Sequence, residues 1–432
     1  MNFWIDIVSL MLRTALFTFI NPLFWLVLIL VFFQYRRVVA MEKSLFGQAV
    51  NNMWRQTFYS MLLGIAGGIF GSFFLLLLGI SLESIGIVYL WPVAILLLLI
   101  NPRYLCFAYA GGIVAVTALI LQAILPAAPF LGNIEIIAGL LDIHLPGLLT
   151  LVGILHLTEA FLIYMSGHTG ASPVYLKAPG GEIVGGYTMQ RFWPLPLMGL
   201  WAMVVAETTD MFVGGVSMPE WWPLLGTVMN VGLDEKVIYL MVPVVAGLGY
   251  SDIALSTTPY IKRIKTAKNL ALYSLLLSGA AITASFVPAM LLPAALLSPL
   301  GHEYLIKKGN DDEFSAPPLF RTDGKNGLQV MAVIPGSPAS KSGLRAGDRI
   351  VGVNDHIVNA ENEFYDILRI SYQKVSLEIV REGQYMNLPV QIYPWPINQF
   401  GIIFAPGKGT TVYVEMKQSS LLDRLLRRSQ GR

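Results

Sequence analysis

Seven apolar runs of roughly membrane-spanning length are the first thing any fold of this chain has to accommodate. They lie near 14–33, 57–80, 85–100, 104–125, 145–166, 194–212 and 237–255. An eighth, 270–300, is too long for one simple span and is interrupted by Pro288, Pro293 and Pro299. Hydrophobic residues make up 55% of the chain and charged residues 13%, against roughly 25% charged in an ordinary soluble protein. The expected fold class is therefore a polytopic α-helical membrane domain of about 7–9 spans. A net charge of +2 gives no reason to expect a nucleic-acid partner. Cys106 is the single cysteine and sits in an apolar run, so no disulfide framework, no cysteine-based metal site and no cofactor are expected. Residues 1–13 carry Asn2, Asp6, Ser9 and Arg13 on one helical stripe, the pattern of a helix lying in the interface or of the start of the first span. No small-residue cleavage site follows the first run, so no cleavable signal peptide is expected.

Positive charge orients the spans. Arg36, Arg37, Lys43 and Arg55 follow the first run, Arg103 follows the third, Lys177 and Arg191 the fifth, and Lys262, Arg263, Lys265 and Lys268 the seventh. These loops alternate consistently if they are cytoplasmic and the N-terminus faces out, in a bacterial plasma membrane. The 270–300 run leaves the last step open. One crossing puts the C-terminal region outside, and a broken pair puts it inside. Lys307 and Lys308, together with a tail over 417–432 that mixes Leu421, Leu422, Leu425 and Leu426 with Arg424, Arg427 and Arg428, favour the inside and a contact with anionic lipid. The loop 167–193 is then cytoplasmic. Residues 173–177 and 182–189 read there as a hairpin around Ala178-Pro179-Gly180-Gly181.

The chain changes character after residue 308. Residues 329–334 form a short apolar β-prone run that Pro335-Gly336 stops. Ser337 can cap a short helix with Pro338 in its first turn, and Gly343 can end it. Gly347-Asp348 turns into a strand over 349–353. A helix over 361–370 follows, then a strand over 375–380, a turn at 381–384 and a return strand over 388–392. Together these residues resemble a PDZ domain of the bacterial type, a small α+β fold expected over 309–416 after a membrane domain over 1–308. The resemblance implies binding of an extended protein tail as an added strand. Phe364 and Leu368 would line the groove, and Ile367 would either line it or be buried. The carboxylate-cradling loop is less obvious. Pro317-Pro318-Leu319-Phe320 lacks two N–H donors. Phe400, Gly401, Ile402 and Ile403, followed by Phe404, are the better candidates for loop and binding strand.

Catalytic chemistry finds little support. A PDZ module on membrane spans suggests an intramembrane zinc protease, but His302-Glu303-Tyr304-Leu305-Ile306 lacks the second histidine of H-E-x-x-H, and His156-Leu157-Thr158-Glu159 lacks the pattern. Gly170-Ala171-Ser172 resembles an intramembrane serine motif, but Pro173 follows and the segment lies in a loop. The ionisable residues placed inside spans are His156, Glu159, Glu207 and Asp210. At about 1.5 Å per residue, His156 and Glu207 fall at similar depth, which suggests a pair locking two helices or lining a polar path. Gly64, Gly67, Gly68 and Gly71 suit close helix packing.

Ile87-Val88-Tyr89-Leu90-Trp91-Pro92, Asn101-Pro102-Arg103-Tyr104-Leu105-Cys106 and the segment from Gly180 through Gly186 to Phe192-Trp193-Pro194 resemble, with the PDZ motif, the MinJ-type family of bacterial division-site proteins. That resemblance implies a non-enzymatic cytoplasmic-facing scaffold. It would link a DivIVA-like polar and septal protein to a MinD-like division inhibitor. Two other classes fit the same architecture: an envelope-stress or protease adaptor presenting protein tails, and a transporter with a regulatory PDZ domain.

Overall fold

The computed structural model describes residues 3–178, 180–206, 216, 218–225, 232, 234–321, 326–371, 373–392, 396, 399–407 and 409–414. The membrane body runs in order through α1 (Phe3–Ile20), α2 (Pro22–Phe46), α3 (Met53–Leu78), α4 (Ile87–Ile100), α5 (Phe107–Ile124), α6 (Glu135–Leu141) and α7 (Leu145–Ser166). Strands β1 (Ser172–Lys177), β2 (Ile183–Ala206) and β3 (Glu235–Ala254) come next, and α8 (Pro259–Phe286) and α9 (Leu291–Ser315) close the body. Among the described residues six helices are long and apolar enough to cross a membrane, and α4 is a shorter apolar one.

Local chemistry sets the ends of these helices. Asn21 accepts from the Leu23 N–H with Pro22 in the first turn, so α2 starts there and the expected 14–33 run is divided between α1 and α2. Gly47 and Gly79 terminate α2 and α3 with φ of 71° each, a conformation that costs glycine little. The 270–300 run is two helices. The Thr283 carbonyl caps Val287, Pro288 follows, and α8 and α9 extend well beyond the run at both outer ends.

Two expected helical spans are strands. The described part of the 194–212 run, 194–206, lies on β2, and residues 237–254 of the other lie on β3; the two strands pair antiparallel from Tyr187↔Ala254 to Ala206↔Glu235. Their length and apolarity satisfied the requirement for a span, but Pro243 removes an N–H that an interior helical turn needs, and Pro194 and Pro196 fall on β2 where their missing N–H groups face away from β3. The base of β2 also pairs with β1, from Ser172↔Thr188 to Lys177↔Ile183, as the hairpin pattern predicts.

The sheet lies against α3 along most of that helix. Arg191 donates to Gln56 near the helix start, the Ser72 hydroxyl accepts from the Met198 N–H at 2.7 Å, and the Leu82 N–H donates to the Leu200 carbonyl at 2.8 Å beyond its end. A side chain at Gly64 or Gly68 would collide with the carbonyl oxygen of Pro194 or Pro196. Gly67 meets the Leu162 side chain of α7 instead. The small-residue face of α3 thus admits a strand on one side and a helix on the other.

The C-terminal domain is a small sheet with two helices. Its elements are β4 (Leu328–Val333), α10 (Pro338–Lys341), β5 (Arg349–Val353), β6 (His356–Ile357), α11 (Glu361–Ile370), β7 (Lys374–Arg381), β8 (Gln384–Gln391) and β9 (Ile402–Phe404). Strand order is β8-β7-β5-β4-β9, with β6 on β5. Ser337 caps α10 through the Ser340 N–H, Gly343 and Gly347 have φ of 85° and 95°, and Glu382-Gly383 turn between β7 and β8 with positive φ. Asp348 is buried. It accepts from the Arg345 N–H and from the Arg381 guanidinium, which this carboxylate holds above the usual arginine range. Phe364, Leu368, Val330, Ile350 and Phe400 fill the core.

The domain is seated against the end of the body that carries β1. Gly185 donates to the Phe320 carbonyl at 2.8 Å, Val414 donates to the Tyr175 carbonyl at 2.8 Å, and the Tyr187 hydroxyl bonds the Met331 carbonyl. Pro317-Pro318-Leu319-Phe320 is therefore a connection packed on the body, with Phe320 buried beside Tyr187. Glu313 near the end of α9 accepts from the Leu255 and Ser256 N–H groups and from both hydroxyls at Ser256 and Thr257, which fixes the turn before α8 to the helix that leads into the domain.

Candidate functional site: the outer strand of the PDZ domain and the polar cluster of the membrane body

Strand β9 is the outer strand of the C-terminal sheet. Its polar groups alternate. The Gly401 carbonyl accepts from the Ile334 N–H at 2.9 Å, Ile403 pairs with Ala332, and the Ala405 N–H donates to the Gln329 carbonyl at 2.8 Å. Ile402 and Phe404 consequently present their backbone groups away from β4. Gly401 has φ of 88°, and a side chain there would strike Ser337. Only glycine makes this bend without strain.

Helix α11 lies across that edge. The Phe364 ring contacts those of Phe400 and Phe404 at 5.7 and 5.3 Å, and Tyr365 stands 6.4 Å from Phe404. Phe364 and Leu368 are wholly buried in the core, Ile367 is half-buried, and Phe400, Ile402 and Ile403 are buried. The Ile403 side chain points toward Phe320 and Met331, where the domain meets the body. Phe364 and Leu368, expected to line a groove, are therefore core residues, and Tyr365 is the α11 residue that stands half-buried beside Phe404.

One residue of the membrane body reaches this edge. The Tyr175 hydroxyl of β1 donates to the outward-facing Phe404 carbonyl at 2.9 Å. Burial pushes the Tyr175 hydroxyl up, with Glu361 and Tyr365 adding to the shift, and burial with Glu361 pushes Tyr365 up to about 12. Both remain neutral donors throughout the physiological range.

The polar residues of the body gather differently from expectation. His156 on α7 meets Cys106 and His302, with Nε2 at 3.2 Å from the Cys106 sulfur. Glu159 lies one turn further along α7 and is partly buried. Glu207 and Asp210 fall outside the described residues. The 156–207 depth argument also assumed a helix over 194–212, and that segment enters as strand β2.

Known proteins bear on both regions. The PDZ domain family model matches residues 329–381. The cell division topological determinant MinJ of Bacillus subtilis is 27% identical over 374 residues, 86% of this chain and 88% of that protein. The resemblance to MinJ-type membrane proteins runs through the body and the PDZ domain alike. A probable MinJ of Lacticaseibacillus paracasei is 28% identical over 81 residues, 18% of this chain and 22% of its own length. A probable periplasmic DegP-like serine endoprotease of Hahella chejuensis is 34% identical over 93 residues, 21% of this chain and 20% of the protease. The likeness to such proteases lies in the PDZ portion, and the relative matching most of this chain is a division determinant.

Proposed function

We propose that the chain is a non-enzymatic membrane scaffold in division-site selection, whose PDZ domain binds a protein partner by strand addition at β9. The observation that carries the reading is the outward-facing backbone of Ile402 and Phe404 beneath α11, in a chain related over most of its length to a division topological determinant. A bound tail would add to β9 with its terminal carboxylate toward Phe400-Gly401. The partners implied by the family are a DivIVA-like polar and septal protein and a MinD-like inhibitor.

The domain faces the cytoplasm in this proposal, with the N-terminus outside. Arg36, Arg37, Lys43, Arg55, Lys177, Lys262, Arg263, Lys265, Lys307 and Lys308 lie toward the body end that carries the PDZ domain or on the connections there, the arrangement expected of a cytoplasmic face. The separate helices α8 and α9 return the chain to that end. The basic tail 417–432, outside the described residues, would lie on anionic lipid. Imaging a fluorescent fusion tests the function: enrichment at septa and poles supports it, and a uniform membrane signal sinks it. Cysteine labelling introduced at exposed Tyr385 tests the side.

A further inference from the structure

We propose that Cys106, His156 and His302 form a binding site for one thiophilic divalent cation of the Zn2+ type, inside the membrane body where α5, α7 and α9 meet. Each residue comes from a different part of the chain. Cys106 caps the start of α5, where its sulfur accepts from the Ala108 N–H at 3.4 Å. His156 is buried at mid-length on α7, and His302 lies on α9.

Their ligand atoms converge. The Cys106 sulfur is 3.2 Å from His156 Nε2 and 3.9 Å from His302 Nε2, and the three ligand atoms lie within 4.8 Å of one another. Around a tetrahedral Zn2+, bonds of about 2.3 Å to sulfur and about 2.0 Å to nitrogen put sulfur and nitrogen about 3.5 Å apart, between the two separations here. One thiolate and two imidazoles suit Zn2+ or Co2+ better than Mg2+ or Ca2+, which require oxygen. A fourth position is left for water or another oxygen ligand.

The surroundings fit a ligand set. His156 Nδ1 bonds the Val152 carbonyl at 2.7 Å, which aims Nε2 at the sulfur, the usual support for a metal-ligating histidine. The His302 ring is held by edge contacts with Tyr109 and His156 at 5.3 and 5.0 Å, and its buried Nδ1 has no hydrogen-bond partner among the described residues. The neighbouring polar groups are already engaged. Tyr273 donates to the Ser298 carbonyl at 2.6 Å, Tyr109 donates to Glu303 at 2.7 Å, and Arg103 pairs with Glu303. Arg103 and Glu303, adjacent to the cluster in sequence, are partly exposed, at 24% and 23%. An ion here would fasten α9, the helix leading into the PDZ domain, to α5 and α7.

The test uses the full chain in nanodiscs, stripped with chelator and titrated with Co2+. The expected result is a sulfur-to-cobalt charge-transfer band with visible ligand-field bands, saturating near about one ion per chain and displaced by Zn2+. Cys106 is the chain's single cysteine, so its alkylation should slow at least about tenfold when Zn2+ is added. Cys106→Ser should remove the charge-transfer band. His302→Gln should keep that band and weaken Co2+ binding by about 10–100-fold. Absence of the band together with a metal-independent alkylation rate overturns the site. If Cys106→Ser accumulates poorly, the alkylation rates of the unaltered chain decide.

Discussion

Two β-edges of this protein, that of β2 in the membrane body and that of β9 in the PDZ domain, are handled in opposite ways. Along β2 the residues facing away from β3 are the even-numbered ones. Phe192 donates to the Tyr35 hydroxyl at 3.2 Å, Pro194 and Pro196 have no N–H to satisfy, Met198 donates to Ser72 and Ala202 donates to Glu83 at 3.2 Å. On β9, among the described residues, the outward groups of Ile402 and Phe404 meet the Tyr175 hydroxyl at one carbonyl. At membrane depth an unpaired backbone group has no water to turn to and must be satisfied or deleted. In a water-facing domain the same unpaired row can be kept for a ligand.

The comparison can be broken by placing prolines according to strand parity. Leu197 faces β3, and Leu197→Pro removes a ladder bond and should cost at least about 3 kcal/mol, seen as loss of monodisperse protein on extraction. Met198→Pro, one residue along on the outward side, should cost clearly less, because both substitutions lose a buried side chain while Met198→Pro leaves the ladder with β3 intact and forfeits from the backbone only the bond to Ser72. Equal losses would refute the edge assignment.

On the PDZ side, Ile402→Pro deletes an outward N–H and leaves the pairing with β4 in place. Retention of C-terminal peptides by the full chain should fall at least tenfold, about 1.4 kcal/mol, relative to Ile402→Ala, which loses the same buried side chain but keeps the N–H. Unaltered retention would remove β9 as the binding strand.

Two smaller effects sharpen the contrast. Ser72→Ala leaves the Met198 N–H without its acceptor in a buried setting and should destabilise the body by about 1–3 kcal/mol, measured by thermal unfolding in nanodiscs. Tyr175→Phe frees the Phe404 carbonyl and should strengthen peptide binding by a few-fold, about 1 kcal/mol. A weaker interaction would mean that Tyr175 belongs to the ligand contacts rather than capping the edge.

Much of the PDZ domain was legible because its signals are local. Ser337-Pro338, Gly343, Gly347-Asp348 and Glu382-Gly383 each dictate a cap or turn within a few residues, and all four act as their chemistry requires. The stripe Phe364, Ile367, Leu368 was legible at helical spacing, but Phe364 and Leu368, expected to line a groove, fill the core, and Ile367 is half-buried. The contact of Tyr175 with Phe404 depends on how a body strand and the domain meet, which no local window contains.

The body divides along the same line. Apolar runs over 145–166 and 85–100 gave helices with nearly the expected limits, whereas 194–206 and 237–254, from two further apolar runs, are strands. By itself the sequence determined a largely apolar membrane body, the PDZ fold and its turns, because length, hydropathy and turn chemistry act locally. Tertiary structure decided that β2 could lie among helices, since Gly64 and Gly68 of α3 make room for the Pro194 and Pro196 carbonyls. It also brought Cys106, His156 and His302 together from three helices, because convergence of side chains depends on packing and leaves no trace in spacing.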